Sequence, residues 1–110
     1  MSNSNTPARK QLEILYGCRD MLTGIKGQMT FHHLFKKVDG GPATIKNGAL
    51  LIKQTHEWLT NIEYEDIELY NLVNECLDLY KQCIDYGNID LIKQYENEVM
   101  PKASHLIFKR

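Results

Sequence analysis

The apolar positions change their spacing along this chain, and the changes divide it into elements. Met1 to Asn5 is polar and expected to fray. Thr6-Pro7 reads as an N-cap followed by proline at the first helical position, and Leu12 and Leu15 lie at helical spacing, so a short helix is expected from about Pro7 to Tyr16. Gly17, Gly24 and Gly27 then fall in a stretch without a sustained apolar period, which reads as a loop up to Gln28. From Met29 to Lys37 a short aromatic and apolar run predicts a strand, closed by the turn signal Asp39-Gly40-Gly41-Pro42. A period of two puts Phe31, His33 and Phe35 on one face and Thr30, His32 and Leu34 on the other, so the adjacent histidines point apart unless the strand bends. Gly48 to Leu51 predicts a second short strand.

From Ile52 the period lengthens to that of a helix, with Thr55, Leu59 and Ile62 on one face and Trp58 beside them. A longer helix is expected from Glu65 to Tyr86. It carries one apolar stripe of Leu69, Leu72, Cys76, Leu79 and Cys83 beside a second of Ile67, Tyr70, Val73, Leu77, Tyr80 and Ile84. So wide a surface predicts packing against the strands on one side and another helix on the other. Gly87 ends this helix and Asn88 caps the next, in which Ile89, Ile92, Tyr95 and Val99 share a face until Pro101 stops it. The remainder, Lys102 to Arg110, is basic and reads as an arm.

Composition narrows the classes. At 110 residues and 43% hydrophobic content the chain suits a single domain with a modest core, and the elements make it α+β and mostly helical. A charged fraction of 25% and a net charge of -1 argue against both disorder and a globally basic surface, so any contact with nucleic acid has to come from local clusters. No run approaches the roughly 18 apolar residues of a membrane span, and the N-terminus lacks an apolar signal core. The expectation is a soluble cytoplasmic protein with no membrane partner. Cys18, Cys76 and Cys83 are odd in number and form no C-x-x-C pair, which predicts reduced thiols.

The candidate chemistry lies between His32 and His56. Hydrolysing a phosphodiester takes a base to activate water and a cation to offset charge on the phosphate and the leaving oxygen. The imidazole of His33, neutral at physiological pH, is a suitable base. His32 and His56 are placed to share one divalent ion if strand, turn and helix fold back on one another. Asn47 is placed to bridge the turn with both donor and acceptor of its amide, holding the turn's ends and orienting His33. Lys36, Lys37, Lys46 and Lys53 surround these positions and are candidates for neutralising phosphate.

The order His32-His33, Gly40-Gly41, Asn47, His56 resembles the HNH endonucleases, the His-Me finger or ββα-metal nucleases. The resemblance covers roughly residues 15 to 62. It implies a ββα-metal finger with its core at about 28–62, a flanking N-terminal helix and two C-terminal helices over about 63–100, in one HNH nuclease-like domain spanning 1–110. It implies His32 and His56 as metal ligands, His33 as the general base and Asn47 as the structural asparagine of the catalytic set. The cofactor is then one divalent ion from among magnesium, manganese, nickel, cobalt and zinc, and the partner is nucleic acid, with DNA expected. The chain departs from the family in places. Many relatives carry Asp at the place of His32 and Pro at that of Lys36. Many also hold a structural zinc with two C-x-x-C pairs, whose places here read Leu15, Cys18, Ile52 and Thr55, so no structural zinc is expected.

Taken singly, these features have plainer readings. Two histidines on a strand are commonly just half-exposed, Asn47-Gly48 and Gly40-Gly41 are ordinary turn pairs, and four lysines are commonly a solvated face. Their joint spacing is what favours a metal-dependent DNA endonuclease. The alternative is a non-catalytic HNH-like module that binds nucleic acid or protein. A nuclease with one active site often needs two copies to cut both strands, and the Leu69-to-Cys83 stripe is a seam on which a homodimer can form; it reads equally as internal core.

Overall fold

The computed structural model describes residues 6–108. Helix α1 spans Thr6–Tyr16 and buries Ala8 and Leu12, one turn apart. Leu15, expected on the same stripe, is exposed and lines an open hollow with Ile45 and Tyr86. The expected loop follows, but it is closely tied. Met21 and Leu22 are buried in it, the Met21 N–H donates to Leu50 O at 2.9 Å, and Arg19 forms an isolated bridge with Lys26.

Strand β1, Met29–His33, pairs antiparallel with β2, Gly48–Ile52, with Met29 opposite Ile52 and His33 opposite Gly48. The strand expected to run to Lys37 thus ends at His33. Its partner begins at Gly48, so one more backbone bond, from Leu34 N–H to Asn47 O, closes the ladder. Lys37–Asp39 instead makes a 3-10 turn. Phe35 does not continue the face of Phe31 and His33; it stands 57% exposed.

Helix α2, Lys53–Glu65, starts directly after β2 and buries Thr55, Leu59 and Ile62 as its period requires. Asp66 separates it from α3, Ile67–Asp85, and caps α3 by accepting from Leu69 N–H at 3.1 Å. The two stripes of α3 have different fates. Tyr70, Val73, Leu77 and Tyr80 enter the core, whereas Leu72 and Leu79 are 53% and 56% exposed. With Cys76, Leu91 and Leu106 they line an open apolar groove of about 630 Å³, so the Leu69-to-Cys83 seam is only partly internal core: Cys83 is buried and Leu69 and Cys76 pack against the core, while Leu72 and Leu79 stay open.

Gly87 and Asn88 turn the chain as expected, and Asn88 caps α4, Ile89–Gln94, through Leu91 N–H at 3.2 Å. Pro101 does not stop the final helix. A π turn at Tyr95–Val99 leads into α5, Met100–Phe108, with Met100 N–H bonded to Tyr95 O. The wider turn just before Pro101 makes room for a ring that would clash with a regular helical carbonyl four residues back. The basic arm expected from Lys102 is accordingly helical through Phe108. Lys109 and Arg110, like Met1 to Asn5, lie outside the described residues.

The result is a mostly helical α+β domain in which α1 lies against the two-stranded sheet, α2 against the sheet and α3, and α3 against the C-terminal helices. One apolar cluster joins Leu12, Phe31, Leu50, Leu59, Leu77 and Met100. The thiols of Cys18, Cys76 and Cys83 are free. No helix among the described residues is long and apolar enough to cross a membrane.

Candidate functional site

The sheet directs its two adjacent histidines to opposite faces, as a period of two requires. The ring of His33 packs edge-on to Phe31 with centroids 4.9 Å apart. That of His32, only 5% exposed, meets the ring of His56 from α2 at 5.4 Å and 82°. Strand, turn and helix thus bring together the two histidines placed far apart in the sequence.

Hydrogen bonds decide which nitrogen of each ring is free. Thr30 Oγ1 donates its proton to Leu51 O at 2.7 Å and lies 2.8 Å from His56 Nδ1, so it accepts from Nδ1–H and leaves the Nε2 lone pair of His56 open. Asn74 Oδ1, from α3, accepts from His32 Nε2–H at 2.7 Å and leaves Nδ1 of His32 open. Burial pushes the imidazole of His32 down to about 4, and the neighbouring His56 and His33 add to the effect. His56 is lowered by burial and by His33, and His33 by burial and by Lys37. All three rings are therefore neutral at physiological pH, the form in which imidazole ligates metal or accepts a proton.

Two neutral imidazoles with one open nitrogen each are donors of the kind that suits a borderline divalent ion. Among the described residues no group of three or more His, Cys, Asp or Glu side chains stands together as a ligand set, so water or phosphate oxygens would complete the shell.

Asn47 lies between the strands and bridges the turn. Its Oδ1 accepts from Phe35 N–H at 2.8 Å, and its Nδ2 donates to Phe35 O at 3.0 Å and to Pro42 O at 2.9 Å. Its own carbonyl accepts from Leu34 N–H, the residue after His33. Gly41 permits this closure, since a Cβ there would meet Phe35 O at 1.8 Å.

The four lysines divide. Lys36 is engaged by Glu63 at 2.6 Å, while Lys37, Lys46 and Lys53 are exposed. Lys53 lines a hollow of about 300 Å³ with Thr30 and His56, and Lys46 lines one of about 520 Å³ with Asn47 and Asn74. The larger apolar groove along α3 holds none of the histidines.

Several residues that the sequence did not single out support the site. Thr30 and Asn74 orient the imidazoles. Two buried ions hold the ends of β2. The carboxylate of Asp20 accepts from Leu22 N–H and Thr23 N–H, each at 2.8 Å, and from Ile52 N–H at 2.9 Å. The ammonium of Lys81 donates to the carbonyls of Ile45, Lys46 and Gly48. Only Lys81 leaves a trace in the sequence, as a lysine at helical spacing between Leu77 and Ile84 on the core stripe of α3. No family model matches the chain, and neither a curated protein nor a solved structure matches it.

Proposed function

We propose that the protein is a divalent-metal-dependent endonuclease that hydrolyses phosphodiester bonds in DNA, and that β1, β2 and α2 form a finger of the HNH, ββα-metal type. The observation that carries this reading is the pair His32 and His56, neutral, facing each other at 5.4 Å, each with its second nitrogen already engaged. Asn47 bracing the turn next to His33 supports it.

His32 Nδ1 and His56 Nε2 would hold the ion, which when bound offsets charge on the phosphate and the leaving oxygen. His33, on the opposite face of β1 from His32 but near enough to His56 to lower its pKa, would take a proton from water at the strand's end as the water oxygen bonds to phosphorus and the bond to the 3′ oxygen breaks. Burial and Lys37 keep that imidazole in its basic form. Asn47 fixes the backbone just beyond it. Lys37, Lys46 and Lys53 supply positive charge for the DNA backbone, whereas Lys36 does so only by leaving Glu63.

A second reading, a non-catalytic HNH-like module that binds nucleic acid or protein, is favoured by the ligand count, since catalytic zinc sites typically use three protein ligands. Plasmid nicking across a series of divalent ions decides between them. Wild type nicks, and His33→Ala loses about 10²–10⁴-fold in rate while still binding the ion. Equal nicking by both proteins would remove His33 as the base, and no nicking with any ion favours the binding module.

A further inference from the structure

We propose that Lys81 is a positioning residue of this site, its buried ammonium holding the turn from which Asn47 reaches Phe35. The side chain comes from the core face of α3 and the residue is 4% exposed. An ammonium has three N–H donors, and each finds a backbone carbonyl, those of Ile45, Lys46 and Gly48. These carbonyls bracket Asn47 on both sides in the chain.

The expense of burying a charge indicates what the lysine is for. An apolar side chain of similar volume at this position would fill the same space without the desolvation cost of a cation. Binding three carbonyls that converge from different peptide units is what a compact, rotatable ammonium does and an apolar chain does not. Burial lowers the pKa of Lys81, and Asp78 and Asp85 on the same helix oppose that shift.

From there the path to the site is short. Asn47 Oδ1 holds Phe35 N–H, and Asn47 O holds Leu34 N–H beside His33. A turn released by Lys81 would leave His33 on a strand end whose last backbone bond is no longer fixed. The catalytic consequence rests on the nuclease reading; the holding of the turn does not.

The experiment compares wild type with Lys81→Met, following amide exchange by NMR and nicking by steady-state kinetics. The Phe35 amide of the variant is expected to exchange about tenfold faster or more. Its kcat falls about 100-fold, the cost of misplacing a catalytic group by about 1 Å, with KM for plasmid DNA and manganese affinity unchanged. Lost stability alone would lower the folded fraction and leave kcat per folded molecule intact. If Lys81→Met does not fold, Lys81→Arg keeps the charge but replaces the compact ammonium with a planar fork, and the same two effects are expected. Unchanged Phe35 exchange in a folded variant overturns the proposal, as does faster exchange with unchanged kcat. A wild type that nicks no DNA overturns the nuclease reading and the catalytic consequence together, while exchange at Phe35, which needs no substrate, still decides whether Lys81 holds the turn.

Discussion

The imidazoles of His32 and His56 meet edge to face with centroids 5.4 Å apart, and each is tethered through one ring nitrogen, His32 to Asn74 and His56 to Thr30. Partners of this kind fix ring orientation and raise ligand basicity, so at the proposed metal site α3 would contribute through Asn74 without supplying a ligand.

Asn74→Leu tests that arrangement. Removing the acceptor of His32 Nε2–H is expected to weaken manganese binding about 10-fold or more, measured by calorimetry, with helix content unchanged. Unaltered affinity would show that His32 does not bind the ion through a ring set by Asn74.

The choice of ion follows from the donor atoms. Two imidazoles favour manganese, nickel or cobalt over magnesium, which prefers oxygen ligands in a near-regular octahedron. Each of these three ions should support nicking at lower concentration than magnesium, and His32→Asp should move the preference toward magnesium. A metal titration of both proteins at one ionic strength checks this, and a wild-type preference for magnesium over all three contradicts the ligand assignment.

Stability should fall in acid through His32. Its imidazole titrates near 4 in the fold because it is buried, against about 6.5 when unfolded. Between those values the unfolded chain binds a proton that the folded chain does not. The contribution is therefore complete above about pH 6.5 and is lost as pH falls toward 4, reaching about 3 kcal/mol. Urea midpoints of wild type and His32→Gln at about pH 7 and pH 4.5 measure it. A wild-type midpoint no more pH-sensitive than that of the variant would contradict the burial of a neutral ring.

Asp20 ties the loop before β1 to the start of α2. Asp20→Ala leaves the N–H groups of Leu22, Thr23 and Ile52 without their acceptor. At about 1–3 kcal/mol for each buried orphan, the variant should melt about 10 °C lower or more. Wild type treated with a chelator should keep its circular dichroism, because a carboxylate rather than a metal closes this loop. Collapse under chelator would show that a metal is needed there.

Features governed by near neighbours were legible in the residues. The helical periods of α1, α2 and α3 and the turn at Gly87-Asn88 follow from local spacing and capping. The opposed faces of His32 and His33 follow from the strand period, and the bridge made by Asn47 from an amide's short reach to its own turn. Sterics and capping act over a few residues, and no tertiary contact is needed to read them.

Tertiary structure decided the rest. β1 stops at His33 because β2 is only five residues long, a property of the partner strand. The helix passes Pro101 because a π turn absorbs the ring, and one stripe of α3 stays open because the C-terminal helices flank it across a groove without closing on Leu72 and Leu79. Thr30, Asn74, Asp20 and Lys81 acquire their roles from partners such as His56, His32, Ile52 and Ile45, which lie far along the chain. A buried polar group must find a partner wherever the fold supplies one, so its partner is set by three-dimensional proximity, which residue order alone does not carry.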